Sequence, residues 1–293
     1  MAVRVFCLAV GVMLSVPGLS AQSPDIDVLM QRVGDYVHGF IDRFCNVVAE
    51  ERYEPDRVRR GNGRLRSDFL LVQKPGNQRQ FLTFRDVVEV NGKTLRNRDE
   101  TLAKLFLQPA ESVIAQANAI TAHSADYMFP GSDPLLVMVF LQPEYQPRFT
   151  FVRDDIEQRF GADIRRVHFE ETTSPTMLRQ EGDRDLPTRG TIWVSERTGK
   201  VVKTELRLGS DPTTTMITTL FGRDEPLGID VPAVLEQTYY ASPGEVVKGI
   251  ARYSNFRRFS VSTAEKIDSP PERKSSTTAM YGRFRCCSLT SSP

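Results

Sequence analysis

The chain is poor in the residues from which most catalytic and metal centres are built. It carries three histidines, four cysteines and one tryptophan in 293 residues. His38, His123 and His168 stand in neither HxxxH nor HxH spacing, and no cysteine pair has the separation of a zinc ligand set. Neither a Gly-x-Ser-x-Gly nucleophile elbow nor a phosphate-cradling glycine-rich loop occurs. His168, on a strand ahead of Glu170-Glu171, is the one place where a histidine–carboxylate pair could form, and a solvated strand position explains it equally well. The sequence predicts a non-enzyme with no catalytic residue, no metal site and no cofactor.

Charge excess is absent too. The formal charge is +1, which favours neither a nucleic acid nor an acidic partner. Long hydrophobic runs are missing; the longest begins at Val5 and covers about twelve residues, too few to cross ~30 Å of hydrocarbon as a helix. With Arg4 before it, Pro17-Gly18 after it and small residues up to Ala21, Met1–Ala21 reads as a signal peptide. The expectation is an exported protein, periplasmic or extracellular, without a transmembrane span. Three cysteines then remain, Cys45, Cys286 and Cys287, which is no disulfide framework. Cys45 borders a helical apolar stripe and reads as a buried filler. The other two lie in a Ser/Thr/Lys/Arg-rich tail, 263–293, read as disordered.

Between leader and tail the chain reads as one domain, 22–262. Ser23-Pro24-Asp25 starts a helix whose apolar residues recur at 26, 29, 30, 33, 37, 40, 41, 44 and 48, predicting a helix to about Ala49. The charged stretch Glu50–Arg66, with Arg57, Arg59, Arg60, Arg64 and Arg66 around Gly61-Asn62-Gly63, is expected to be a solvated hairpin rather than an anion site. Strands follow over 67–73 and 81–90, with Asn91-Gly92 as a two-residue hairpin turn. Segments 99–107 and 109–125 have helical spacing, and Leu135–Leu141, capped by Asp133, is a buried helix. Asp154-Asp155 reads as a turn rather than a calcium site.

What the chain has in quantity is strand. Arg189–Ser195, Val201–Leu208, Thr213–Phe221, Ile229–Tyr240 and Val246–Tyr253 are β-branched and aromatic, separated by Gly, Asp and Pro breaks. Phe149 and Phe151 share a face of one strand, and Val167 and Phe169 share a face of the next. A sheet with one apolar and one wet face follows, and strong curvature would let it enclose an acyl chain.

These strands carry a resemblance. Gly190-Thr-Ile-Trp-Val-Ser-Glu-Arg-Thr-Gly-Lys-Val-Val-Lys-Thr-Glu-Leu206, a strand ending in Val231-Pro232, and Gly249-Ile-Ala-Arg-Tyr-Ser-Asn-Phe256, behind a leading amphipathic helix, resemble the half-open β-barrel of bacterial lipoprotein carriers. That is the LolA/RseB-like group, together with uncharacterised exported bacterial proteins of similar length. The resemblance implies a strongly curved antiparallel sheet, half-open as a barrel, whose concave side is closed by helices. The helical segment of roughly 98 to 142 departs from the family, so the expected α+β fold has an N-terminal helix and a helical insertion packed against the sheet. The resemblance also implies partners: a lipid, acyl chain or lipoprotein, with contact at the membrane surface and none with nucleic acid. Phe149, Phe151, Val167, Phe169 and Trp193 are the candidate ligand-binding residues. The alternative is an envelope interaction module whose core its own side chains fill.

Limited proteolysis is expected to remove the tail and leave a stable core. A chain ending at Ser262 should keep the melting temperature of the full chain; an appreciable drop would place the tail inside the fold.

Overall fold

Helix α1 spans Pro24–Phe44, and strands β1 (Val47–Pro55), β2 (Leu65–Lys74), β3 (Asn77–Val90) and β4 (Lys93–Thr94) follow it. Next among the described residues come a short helix α2 (Leu136–Phe140), β5 (Phe149–Ile156) and β6 (Ile164–Glu171). After a small separate hairpin of β7 (Arg179–Gln180) and β8 (Arg184–Asp185), the chain ends in a meander. Its strands are β9 (Thr188–Ser195), β10 (Val201–Ser210), β11 (Thr213–Asp224), β12 (Ile229–Ala241) and β13 (Glu245–Arg258). The computed structural model describes residues 24–45, 47–56, 63–74, 77–95, 133–180, 182–210, 213–241 and 245–258. The leader, the helical segments read over 99–107 and 109–125, Arg57, Arg59, Arg60 and the tail lie outside them.

Eleven strands form one antiparallel sheet in the order β4-β3-β2-β1-β13-β12-β11-β10-β9-β6-β5. Strands β4 and β5 do not pair, so the sheet stays unclosed. The fold is α+β, a curved half-barrel with a helix across it. Helix α1 reaches across the sheet: its last residue, Phe44, meets Phe69 of β2 at 6.5 Å between ring centroids, and Asp25 near its start forms an ion pair with Arg153 of β5. The face it covers is the concave face of the half-barrel.

Sequence and structure part at the first helix. The 3-and-4 spacing predicts helix to Ala49, yet α1 stops at Phe44 and Val47–Ala49 open β1. Both patterns fit Val47-Val-Ala, and tertiary pairing decides between them: β1 is bonded to β13 on one side and β2 on the other. A central strand buries both of its faces, and Val47, Val48, Ala49, Glu50 and Glu51 are all buried. The charged stretch is thus a hairpin, as expected, but its first strand is buried through Glu51 and again at Tyr53, with Arg52 and Glu54 exposed. Asp154-Asp155 is no turn either; it forms an irregularity within β5, where the register with β6 shifts between Arg153 and Ile156. Cys45 is buried, as the helical stripe implies.

Two glycines show what the chain must tolerate. At the β3–β4 turn Val90 faces Lys93, with Asn91 at φ 51° and Gly92 at φ 80°, the left-handed pair that a type I′ turn demands. Asn91 also ties the turn to the start of β2: its N–H donates to the Arg64 carbonyl at 2.8 Å and its Oδ1 accepts the Arg64 N–H at 3.0 Å. Gly199, in the β9–β10 turn, has φ 71°, and a Cβ there would lie 2.2 Å from the Arg32 carbonyl oxygen of α1. Arg32 in turn donates to the Glu196 carbonyl at 2.8 Å. The turn is where the helix rests on the sheet.

The two positions should respond differently. Gly92→Val is expected to cost on the order of 1 kcal/mol through backbone strain, since nothing lies within 4 Å of the added Cβ. Gly199→Ala adds a backbone collision to the same strain and should exceed that loss by about 1 kcal/mol or more in urea unfolding. Equal losses would mean that α1 does not rest on this turn.

Candidate functional site

The concave face is the candidate site, and strand parity decides what it contains. Phe151 faces Phe169 across β5–β6, Phe169 faces Gly190 across β6–β9, and Val167 faces Ile192. Phe149, Phe151, Val167 and Phe169 therefore share the concave face and are brought together. Ring centroids are 6.0 Å apart for Phe149–Phe169 and 6.2 Å for Phe149–Phe151. Gly190 makes this possible, because a Cβ there would meet the Phe169 ring at 2.7 Å. Helix α2 covers the cluster: Phe140 lies 5.2 Å from Phe149 and 6.4 Å from Phe169, and all four predicted residues are buried.

Trp193 is not among them. It pairs with Arg166 and Lys203, one residue out of phase with Val167 and Ile192, and so stands on the convex face. Lys203 Nζ caps its ring at 3.9 Å and Phe160 packs at 6.4 Å, which leaves it only 7% exposed despite facing outward. His168 shares that outer face. Its Nε2 bonds Asp154 Oδ2 at 2.9 Å and its Nδ1 bonds Thr191 Oγ1 at 2.9 Å. A carboxylate only accepts, so Nε2 carries a proton and donates it to Asp154. The histidine's carboxylate is thus Asp154, not Glu170 or Glu171. Asp154 also pairs with Arg166 at 2.8 Å. The Asp155 N–H, then His168, holds its carboxyl below the usual carboxylate range. Asp154 therefore belongs to a three-way surface ion cluster rather than serving the imidazole alone. Among the described residues no group of three His, Cys, Asp or Glu side chains could hold a metal ion.

The sequence missed a polar cluster inside the barrel. Glu51 of β1 is fully buried on the concave face; Arg85 of β3 donates to it through Nε at 2.5 Å and Nη2 at 2.7 Å, and the Tyr253 hydroxyl donates to it at 2.8 Å. Arg85 also lies 5.6 Å above the Phe69 ring. Burial alone would push the guanidinium down, but the adjacent Glu51 outweighs it and holds its pKa up. Burial and then Glu51 push the Tyr253 phenol up. Asp133, at the foot of α2, accepts from the Leu135 N–H at 2.8 Å and from the Thr83 hydroxyl. Burial drives its carboxyl above the ordinary value despite these bonds. Alternation did hold a signal for Glu51: Val47, Ala49, Glu51 and Tyr53 have one parity, and three of the four are apolar or aromatic.

The architecture is that of an unclosed antiparallel half-barrel with an N-terminal helix across its concave face. Solved structures match the chain. One is a putative outer membrane lipoprotein-sorting protein domain from Vibrio parahaemolyticus, with TM-score 0.44 and 9% identity over 80% of this chain and 92% of that one. Another is a LolA superfamily protein from Nitrosomonas europaea, with TM-score 0.38 and 11% identity over 78% of this chain and 94% of that one. A third is a DUF1329 family protein from Desulfovibrio piger, with TM-score 0.43 and 10% identity over 80% and 94% of the two chains. No protein-family model matches the chain, and no curated protein does. The chain's own residues carry the functional argument.

Asp133 makes stability depend on pH. A carboxyl whose folded pKa is raised contributes stability that is complete below its unfolded pKa and is lost as pH rises toward the folded value. Asp133→Asn keeps an acceptor for Leu135 and removes the buried charge. The variant should match the wild type below about pH 4 and exceed it at neutral pH. Urea unfolding at both pH values checks this, and a variant less stable at neutral pH would show that the ionised form is the stabilising one.

Proposed function

We propose that the chain is an exported, non-enzymatic protein that holds the acyl chain of a lipid or lipidated partner against the concave face of its sheet. One observation carries this reading. The cluster of Phe149, Phe151 and Phe169 is covered by a five-residue helix, a cover packed through side chains rather than hydrogen-bonded into the sheet. Displacing α2 would open an aromatic and aliphatic groove that Val167 and Ile192 floor, without breaking a strand pair. An acyl chain entering there gains about 0.8 kcal/mol per methylene buried, which offsets exposure of the groove and leaves a margin for ordering the chain. The leader Met1–Ala21 supports a periplasmic or extracellular site of action, where lipoproteins and membrane surfaces are the available partners. No described helix is long and apolar enough to cross a membrane.

A second reading has its own support. The four concave residues are 0–4% exposed, which suits an interaction module whose core is already filled.

Calorimetric titration of the delipidated protein with a long-chain fatty acid and with a diacylated lipopeptide separates the two. Under the carrier reading at least one binds, and Val167→Glu weakens that binding by placing a carboxylate among apolar groups. Trp193 emission should barely change, because the ring faces away from the groove under Lys203. If neither ligand releases or absorbs heat, and protein purified from its own envelope fraction shows no lipid by native mass spectrometry, the filled-core module takes the carrier's place.

A further inference from the structure

The concave face holds two buried hydroxyls that the fold itself does not satisfy. Tyr53 is 2% exposed and Ser67 1% exposed, and among the described residues neither Tyr53 Oη nor Ser67 Oγ has a hydrogen-bond partner. Parity places both inward: Tyr53 faces Leu65 and Ala251 across its two strand pairs, while Ser67 faces Glu51 and Val87. The tyrosine is built into its position. Its phenol lies on Gly249 of β13, where a Cβ would come within 2.1 Å of Oη, so only glycine lets the ring lie there. Opposite Gly249 stands Gln237 of β12, also buried. Burial pushes the Tyr53 phenol up to about 12, with Asp56 and Glu51 adding to it, so the group keeps its proton and can donate.

A buried hydroxyl without a partner lowers the stability of the unliganded protein, and replacement by a group lacking the oxygen ordinarily recovers that loss. A donor held inside the concavity against that penalty suits a ligand that brings an acceptor with it. We infer that the Tyr53 hydroxyl, with Ser67 on the same face, is the hydrogen-bond site for the ester or amide carbonyl of an acylated ligand held on the concave face. The inference rests on the acyl-carrier reading and adds to it a selection between lipids: carbonyl-bearing acyl chains over alkyl chains of equal length.

The test uses the full-length protein, delipidated, with two probes that differ in their carbonyls: a diacylglycerol and the dialkyl ether of the same chain lengths. Wild type should bind the diacyl lipid about tenfold more tightly. Tyr53→Phe should abolish that preference while leaving the melting temperature of the unliganded protein unchanged or higher, and Ser67→Ala should reduce the preference in part. Equal affinity of wild type for both lipids overturns the inference and leaves the carrier reading standing. So does a preference that survives in Tyr53→Phe, above all with a lowered melting temperature, which would give the hydroxyl a structural task. Failure of wild type to bind either lipid overturns the reading and the inference together.

Discussion

Everything in this fold depends on covering one face of an eleven-stranded sheet. An unclosed sheet of that width exposes a broad apolar surface unless something lies across it, and α1 is what does so. Its stripe of Ile26, Leu29, Met30, Val33, Val37, Phe40, Ile41 and Phe44 is buried along the length of the helix. The polar contacts fix its position rather than supply the driving force. Tyr36 donates to Asp230 at 3.0 Å, Lys200 holds the other oxygen of Asp230 at 2.7 Å, and the glycine of the β9–β10 turn admits the helix backbone to near contact. Exposed ion pairs contribute little net energy. Apolar burial drives the docking, and these contacts select one placement from many.

The second constraint is the buried Glu51–Arg85 pair. Two charges taken from water gain little net stability even when well paired, while removal of one partner leaves the other stranded at a cost of several kcal/mol. Such a pair is best understood as a specifier. Glu51 sits on the strand that joins the early hairpin to the late meander, and its bonds reach β3 on one side and β13 on the other. A one-residue slip of β1 would turn the carboxylate outward and abandon both bonds. The pair thus locks the register at the seam where the two ends of the chain meet.

Inner and outer faces divide the chemistry. Over β5, β6 and β9 the outer face carries cross-strand charges and hydroxyls, exemplified by Asp154, His168 and Thr191, whereas over β1, β2 and β3 it is buried, at Val48, Leu70 and Phe84. The inner face is apolar from β5 to β2, with the Glu51–Arg85–Tyr253 cluster set into it at β1, β3 and β13.

The sequence by itself determined the local elements. Five meander strands, the Asn91-Gly92 turn, the start of α1 and the helix at Leu136 follow from periodicity, capping and turn chemistry, which act over a few residues. Alternation also grouped Phe149 with Phe151 and Val167 with Phe169, because side-chain parity within a strand is local. Tertiary structure alone decided how strands are phased against one another. Trp193 reads as another inward aromatic in sequence, yet its register with Arg166 and Lys203 turns it outward. Val47–Ala49 satisfy a helical stripe and a strand equally, and only the pairing of β1 with β13, some two hundred residues later, settles the matter. Glu51 and Arg85 look like solvated charges for the same reason: a charge reveals itself as buried only when its partner arrives from a distant strand.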